Sequence, residues 1–128
     1  MQSYSAGDIT LYVANVGDFK LVLSQMLKVP ERDWRPKYGD LFTKPNLSPG
    51  NCILVRMPGA SIVIDPNDYA LSCSPDSEYY PAPDYRHPPD LVSQLATISV
   101  KPEGITHVVI THAHFDHYAG VTKKAGGV

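Results

Sequence analysis

Twelve prolines and nine glycines along 128 residues divide this chain into short pieces. Proline removes a backbone donor and glycine frees the backbone for turns. Long helices are therefore not its building material, and short strands joined by turns are. At this length a single globular domain is expected, because two ordinary cores would not fit. Apolar positions alternate at Ile9, Leu11 and Val13, and again at Phe19, Leu21 and Leu23 after the turn signal Gly17-Asp18. The pattern predicts two strands paired as a hairpin, although Leu21 to Leu27 also admits a short helical turn.

Lys28 to Gly50 contains Pro30, Pro36, Pro45 and Pro49 around Trp34, and reads as a long irregular connection. Cys52 to Met57, the turn Pro58-Gly59 and Ala60 to Asp65 predict a tight hairpin whose second strand is buried. Pro66 to Pro88 reads as a loop longer than compact domains usually carry without a functional reason. Pro89 and Asp90 suit the first turn of a helix with Leu91, Val92, Leu95 and Ala96 on its apolar face, ending before Pro102. Val108, Val109 and Ile110 predict a buried strand running to His112. Strand, long loop, helix and strand in that order give an α/β chain, a mostly antiparallel or mixed sheet with a helix on one face.

Eleven basic residues against 13 acidic ones leave a formal net charge of -2, so no basic field points to nucleic acid. No apolar run is long enough to cross a membrane, and residues 1–17 lack the basic and apolar regions of a leader. A small-molecule substrate and a cytoplasmic location are the expectations. Cys52 and Cys73 have neither metal spacing nor the density of a disulfide framework, in keeping with a reducing compartment. Neither a G-x-S-x-G elbow nor a G-x-x-x-x-G-K-[ST] phosphate loop occurs.

Chemistry concentrates in His112-Ala113-His114-Phe115-Asp116-His117, which holds three of the 5 histidines. Drawn at random from the chain's own residues, the spacing H-x-H-x-D-H would arise in roughly one such sequence in two thousand. In an extended segment leaving a strand, residues two apart point the same way, so His112 and His114 can converge on one cation. If the chain then bends, Asp116 and His117 can offer a carboxylate oxygen and a third imidazole to a second cation. Nitrogen and oxygen donors without thiolate suit zinc, with iron, manganese and nickel as alternatives. A helix N-terminus would account for Asp116 as a cap, but capping needs one of these residues and not four. His87 and His107, each alone, read as surface or hydrogen-bonded histidines. Asp65 reads equally as a turn residue before Pro66.

The stretch from Ile105 to Gly120, an apolar strand followed by T-H-x-H-x-D-H and a nearby glycine, resembles the metal-binding signature of the metallo-β-lactamase superfamily. Ile62-Val63-Ile64-Asp65 resembles that family's I-D-x-G strand, and Val16-Gly17-Asp18-Phe19 its first hairpin. The resemblance implies the N-terminal half of an αββα sandwich. It further implies a zinc-dependent hydrolase acting on an ester, lactone, thioester or amide through a metal-bound hydroxide. His112 and His114 would help hold a first ion, and Asp116 and His117 a second. Asp116 would also be catalytic in orienting the hydroxide, and Asp65 would support the metal loop.

The family supplies a further histidine, a bridging aspartate and a last histidine downstream, whereas here the sequence has eleven residues after His117 and no His or Asp among them. Two divalent ions against the single charge of Asp116 would be undercompensated. The expectation is an incomplete domain, poorly active as it stands, with one sheet face left open to self-association. A non-catalytic metal-binding or interaction module and an unfolded fragment with an artificial tail at 124–128 are the alternatives. The loop 66–88 would border the site with Tyr69, Tyr79, Tyr80 and Arg86, unless its tyrosines simply pack locally.

Overall fold

The computed structural model describes residues 1–44, 46–67 and 89–121. The expectations for the loop 66–88, for Cys73 and His87 and for the tail at 124–128 fall wholly or almost wholly outside them. β1 (Gln2–Ala6) and β2 (Ile9–Leu21) form an antiparallel hairpin in which Ala6 faces Ile9 across Gly7-Asp8. Gly7 has φ +58°, a backbone state that glycine reaches without steric cost. The alternation had predicted a hairpin further on, with a turn at Gly17-Asp18. Instead β2 is one strand with a bulge there: Asn15 faces Asn51 and Gly17 faces Gly50, so Val16 is the inserted residue. The Asn15 side chain builds the bulge locally, its Oδ1 accepting from the Gly17 N–H at 2.7 Å and its Nδ2 donating to Asp18 Oδ1 at 2.8 Å. A turn signal has been absorbed as a bulge.

The connection expected to be irregular is also more ordered than its prolines suggest. α1 (Leu23–Met26) is the short helical turn that Leu21 to Leu27 admits, and the connection from Lys28 on carries α2 (Glu31–Tyr38) and α3 (Asp40–Thr43), with β3 (Asn46–Met57) beginning within it. Pro30 stands at the N-cap of α2, where the missing N–H costs nothing, and Pro36 lies inside that helix. Glu31 with Arg35 and Asp40 with Lys44 form i, i+4 ion pairs. Phe42 stacks on buried Trp34 and on Tyr38, with ring centroids 5.3 and 4.5 Å away. Contacts of this kind stabilise helices whose propensity is poor. Among the described residues Pro49 falls where β3 pairs with β2 alone, a place where its missing N–H breaks no ladder on the other side.

The second hairpin forms as expected, Met57 facing Ala60 across Pro58-Gly59 and leading into β4 (Ala60–Ile64), but β4 is not the buried strand its composition implied: only Val63 of it is buried, on the core face, while its other residues are half-exposed. β5 (His107–Val109) lies parallel to β4, with Ile62 opposite His107 and Ile64 opposite Val109. The order β1-β2-β3-β4-β5 makes a five-stranded mixed sheet. β5 is not the buried strand that its apolar run implied. Among the described residues it is an edge strand ending at Val109, Val108 is 47% exposed, and residues 111–113 are bends.

α4 (Leu91–Ala96) is capped by Asp90, whose Oδ1 accepts from the Ser93 N–H at 2.6 Å. Its Leu95, with Val100 just beyond, closes over Val16, Cys52, Leu54 and Val63, and Leu91 and Ile98 flank them. Val92 and Ala96, assigned to that face by periodicity, point outward, and Gln94 is buried instead. The Gln94 amide donates to the carbonyls of Asn15 at 2.8 Å and Pro89 at 2.7 Å. A buried amide so satisfied ties the helix to the bulge and leaves no donor stranded. The core thus sits between α4 and one face of the sheet.

Candidate metal centre

β4 and β5 run in the same direction, so their C-terminal ends lie side by side and Asp65 comes next to Thr111. Asp65 has φ +49°, an uncommon conformation that aspartate tolerates better than most residues. Its own N–H donates to the Val109 carbonyl at 2.9 Å. Its carboxylate accepts from the Thr111 N–H at 2.8 Å through Oδ1 and from the Thr111 hydroxyl at 2.7 Å through Oδ2. His117 Nδ1 lies 2.9 Å from the same Oδ2. Asp65 is thus both the turn residue and the support of the histidine loop, gripping it at each end. Burial pushes its carboxyl upward, but the Thr111 N–H, the His117 ring and the Thr111 hydroxyl outweigh that and hold it below its ordinary value.

The loop folds three imidazoles together. His112 and His114 have ring centroids 4.6 Å apart and His112 and His117 3.8 Å apart. His112 Nε2 faces His114 Nδ1 at 2.9 Å, and His117 Nε2 lies 3.6 Å from Asp116 Oδ2. The convergence does not come from an extended strand, since residues 111–113 bend and α5 (Phe115–Tyr118) begins at once. Two facing lone pairs at 2.9 Å repel unless a proton or a cation lies between them. Zinc–nitrogen bonds of about 2.0–2.1 Å can span such a gap. By donor chemistry, then, each pair fits a divalent cation. Among the described residues, however, no three His, Cys, Asp or Glu side chains gather as a full ligand set.

Other candidates fall away. His107 is exposed, with Nδ1 2.9 Å from the Thr106 hydroxyl at the far end of β5. Cys52 is buried, and its thiol is pushed up to about 12 by burial and then by the charge of Asp65, so it is neither a ligand nor a nucleophile at neutral pH. Two contributors were not singled out from sequence. Thr111 has its hydroxyl 3.1 Å from His112 Nδ1 and 3.4 Å from His117 Nδ1. Gly120 donates its N–H to the Pro66 carbonyl at 2.9 Å, and a Cβ there would meet that oxygen at 2.8 Å. The only sequence signal for either was its place in the motif.

A family model described as the metallo-beta-lactamase superfamily matches residues 45–123. Among solved structures, a probable metal-dependent hydrolase from Staphylococcus aureus is similar with a TM-score of 0.63 and 26% identity over 96% of this chain and 44% of that one. A hydrolase designated AbOPH, in the beta lactamase superfamily, is similar in fold with a TM-score of 0.66 and 21% identity over 94% of this chain and 38% of that one. The present chain therefore spans less than half the length of either structure. No curated protein matches it.

Proposed function

This chain belongs to the metallo-β-lactamase superfamily, and from that premise we propose that it carries part of the metal centre of a zinc-dependent hydrolase. In this reading His112 and His114 hold one ion, and Asp116 and His117 contribute to a second. The substrate is a small molecule bearing an ester, lactone, thioester or amide. A bound cation would supply Lewis acidity toward water and toward the acyl carbonyl.

The chain's own residues do the rest. His112 and His114 present nitrogens that already face one another, so little ordering is left for binding to accomplish. Asp65 accepts from His117 Nδ1 and leaves Nε2, the nitrogen nearest Asp116, free to ligate. Asp116 offers the carboxylate closest to that nitrogen and is the group suited to orient a water or hold its proton.

The observation that carries this reading is the 2.9 Å approach of His112 Nε2 to His114 Nδ1 in a loop that Asp65 pins at both ends. Its test is zinc titration of the chain and of His114→Ala, followed by calorimetry in buffers of different ionisation enthalpy. A neutral imidazole that ligates through Nδ1 carries its hydrogen on Nε2 instead of losing it, so the buffer comparison separates the heat of ligation from that of any proton exchanged elsewhere. His114→Ala should lose at least about tenfold in affinity. Unchanged affinity in the variant would remove His114 from the centre. Because the described donors come in pairs, a second reading is a module that binds metal without turnover. Zinc binding with no hydrolysis of an acyl-ester and lactone panel would select it.

A further inference from the structure

The hydroxyl of Thr111 touches three groups of the centre, and its single proton can go to only one of them. The shortest contact is to Asp65 Oδ2, at 2.7 Å. A carboxylate at neutral pH only accepts, so the hydroxyl donates there. Its oxygen is then an acceptor for its neighbours. His112 Nδ1, 3.1 Å away, meets an acceptor and must carry a hydrogen. His117 Nδ1 lies 3.4 Å from that oxygen but 2.9 Å from Asp65 Oδ2, so its hydrogen goes to the carboxylate. One carboxylate thereby dictates the state of two rings, His117 directly and His112 through a hydroxyl.

We propose that Thr111 is a positioning residue that relays the Asp65 carboxylate to His112, locking that imidazole with hydrogen on Nδ1 and its Nε2 lone pair turned toward His114 Nδ1. The purpose of the lock rests on reading His112 as a metal ligand, whereas the tautomer itself does not. A neutral imidazole ligates only through its unprotonated nitrogen, so a free choice of tautomer would leave His112 with the wrong nitrogen bare for part of the time. The hydroxyl removes that choice before any cation arrives. Adjacency of threonine and histidine is not enough to form such a relay. Thr106 lies 2.9 Å from His107 Nδ1 in the same way, but its hydroxyl donates to the Ser61 carbonyl at 2.9 Å and accepts from the Ser61 N–H at 3.0 Å, so it relays a backbone peptide to that ring and not a carboxylate.

The test is long-range proton–nitrogen correlation NMR on the whole metal-free chain at neutral pH, comparing the original protein with Thr111→Val and Thr111→Ser. His112 should show hydrogen on Nδ1 in the original and in Thr111→Ser. In Thr111→Val it should move to a mixture dominated by hydrogen on Nε2, while the His107 pattern stays constant as an internal control. Zinc affinity should fall about 10- to 100-fold in Thr111→Val and recover in Thr111→Ser to within about threefold. Hydrogen on Nε2 of His112 in the original chain, or an unaltered His112 pattern in Thr111→Val, would overturn the relay. An altered pattern with undiminished zinc affinity would overturn its purpose. If Thr111→Val fails to fold, the original chain and Thr111→Ser still decide the tautomer. Failure of the original chain to bind zinc would instead defeat the metal reading, which the metal-free spectra distinguish.

Discussion

Asp65 is the residue on which the centre turns, because it combines an uncommon backbone angle, four hydrogen-bonding contacts and a depressed carboxyl. A group whose folded pKa lies below its unfolded one stabilises the fold at pH above the unfolded value and loses that contribution as pH falls through the folded value. For Asp65 the loss should begin near its ordinary value of 3.8 and continue below it. Asp65→Asn should therefore be less stable than the original at pH 7 by about 1–3 kcal/mol, the worth of hydrogen bonds to a charged group. Urea melts at pH 7 and pH 3 should show that gap narrowing in acid. A gap independent of pH would mean that the carboxylate charge contributes nothing. Sequence placed Asp65 beside Pro66 and by resemblance beside the loop. It could not show the left-handed turn that aims the carboxylate at Thr111, since that depends on β4 and β5 lying in register.

At the level of elements, the loop carrying the histidines is fastened to the end of β4 twice. Asp65 holds Thr111 and His117, and the Pro66 carbonyl accepts the Gly120 N–H at 2.9 Å. A Cβ at Gly120 would sit 2.8 Å from Pro66 O and 2.9 Å from the Asn67 carbonyl carbon, and backbone atoms cannot swing aside as a flexible side chain can. Gly120→Ala should cost about 1–3 kcal/mol, as other overpacked sites do, and should weaken zinc binding by loosening the second fastening. Denaturant melts together with zinc titration check this. A variant with unaltered affinity would show that the first fastening suffices. The periodicity of residues 91–96 located α4 and its inward Leu91 and Leu95, but not the outward turn of Val92 and Ala96 or the burial of Gln94. Gln94 goes in because the Asn15 carbonyl at the bulge needs a donor, a demand raised by a partner 79 positions away.

At the scale of the whole molecule, the described residues leave the two faces of the sheet unequal. α4 covers one face of the sheet with Leu54 and Cys52 fully buried beneath it, whereas on the other face Leu11 is 39% exposed and Val13, Ile53, Val55, Ile62 and Ile64 remain half-buried. These are neighbours in register, Leu11 with Val55 and Ile62, and Val13 with Ile53 and Ile64. An apolar patch of that kind favours association. Sedimentation of the 128-residue chain at tens of micromolar is expected to show species larger than a monomer, and Leu11→Lys should shift them toward the monomer. A monomer throughout would count against an open face. No helix among the described residues is long and apolar enough to cross a membrane. Local chemistry was legible in the chain itself: the H-x-H-x-D-H spacing, the Pro58-Gly59 hairpin and the helix start at Pro89-Asp90 each need only neighbouring residues to be recognised. Tertiary structure decided the rest. Whether Gly17-Asp18 turns or bulges, whether β5 is buried or an edge, and which nitrogens of His112 and His117 are free all depend on partners distant in sequence, and a periodicity carries no information about those partners.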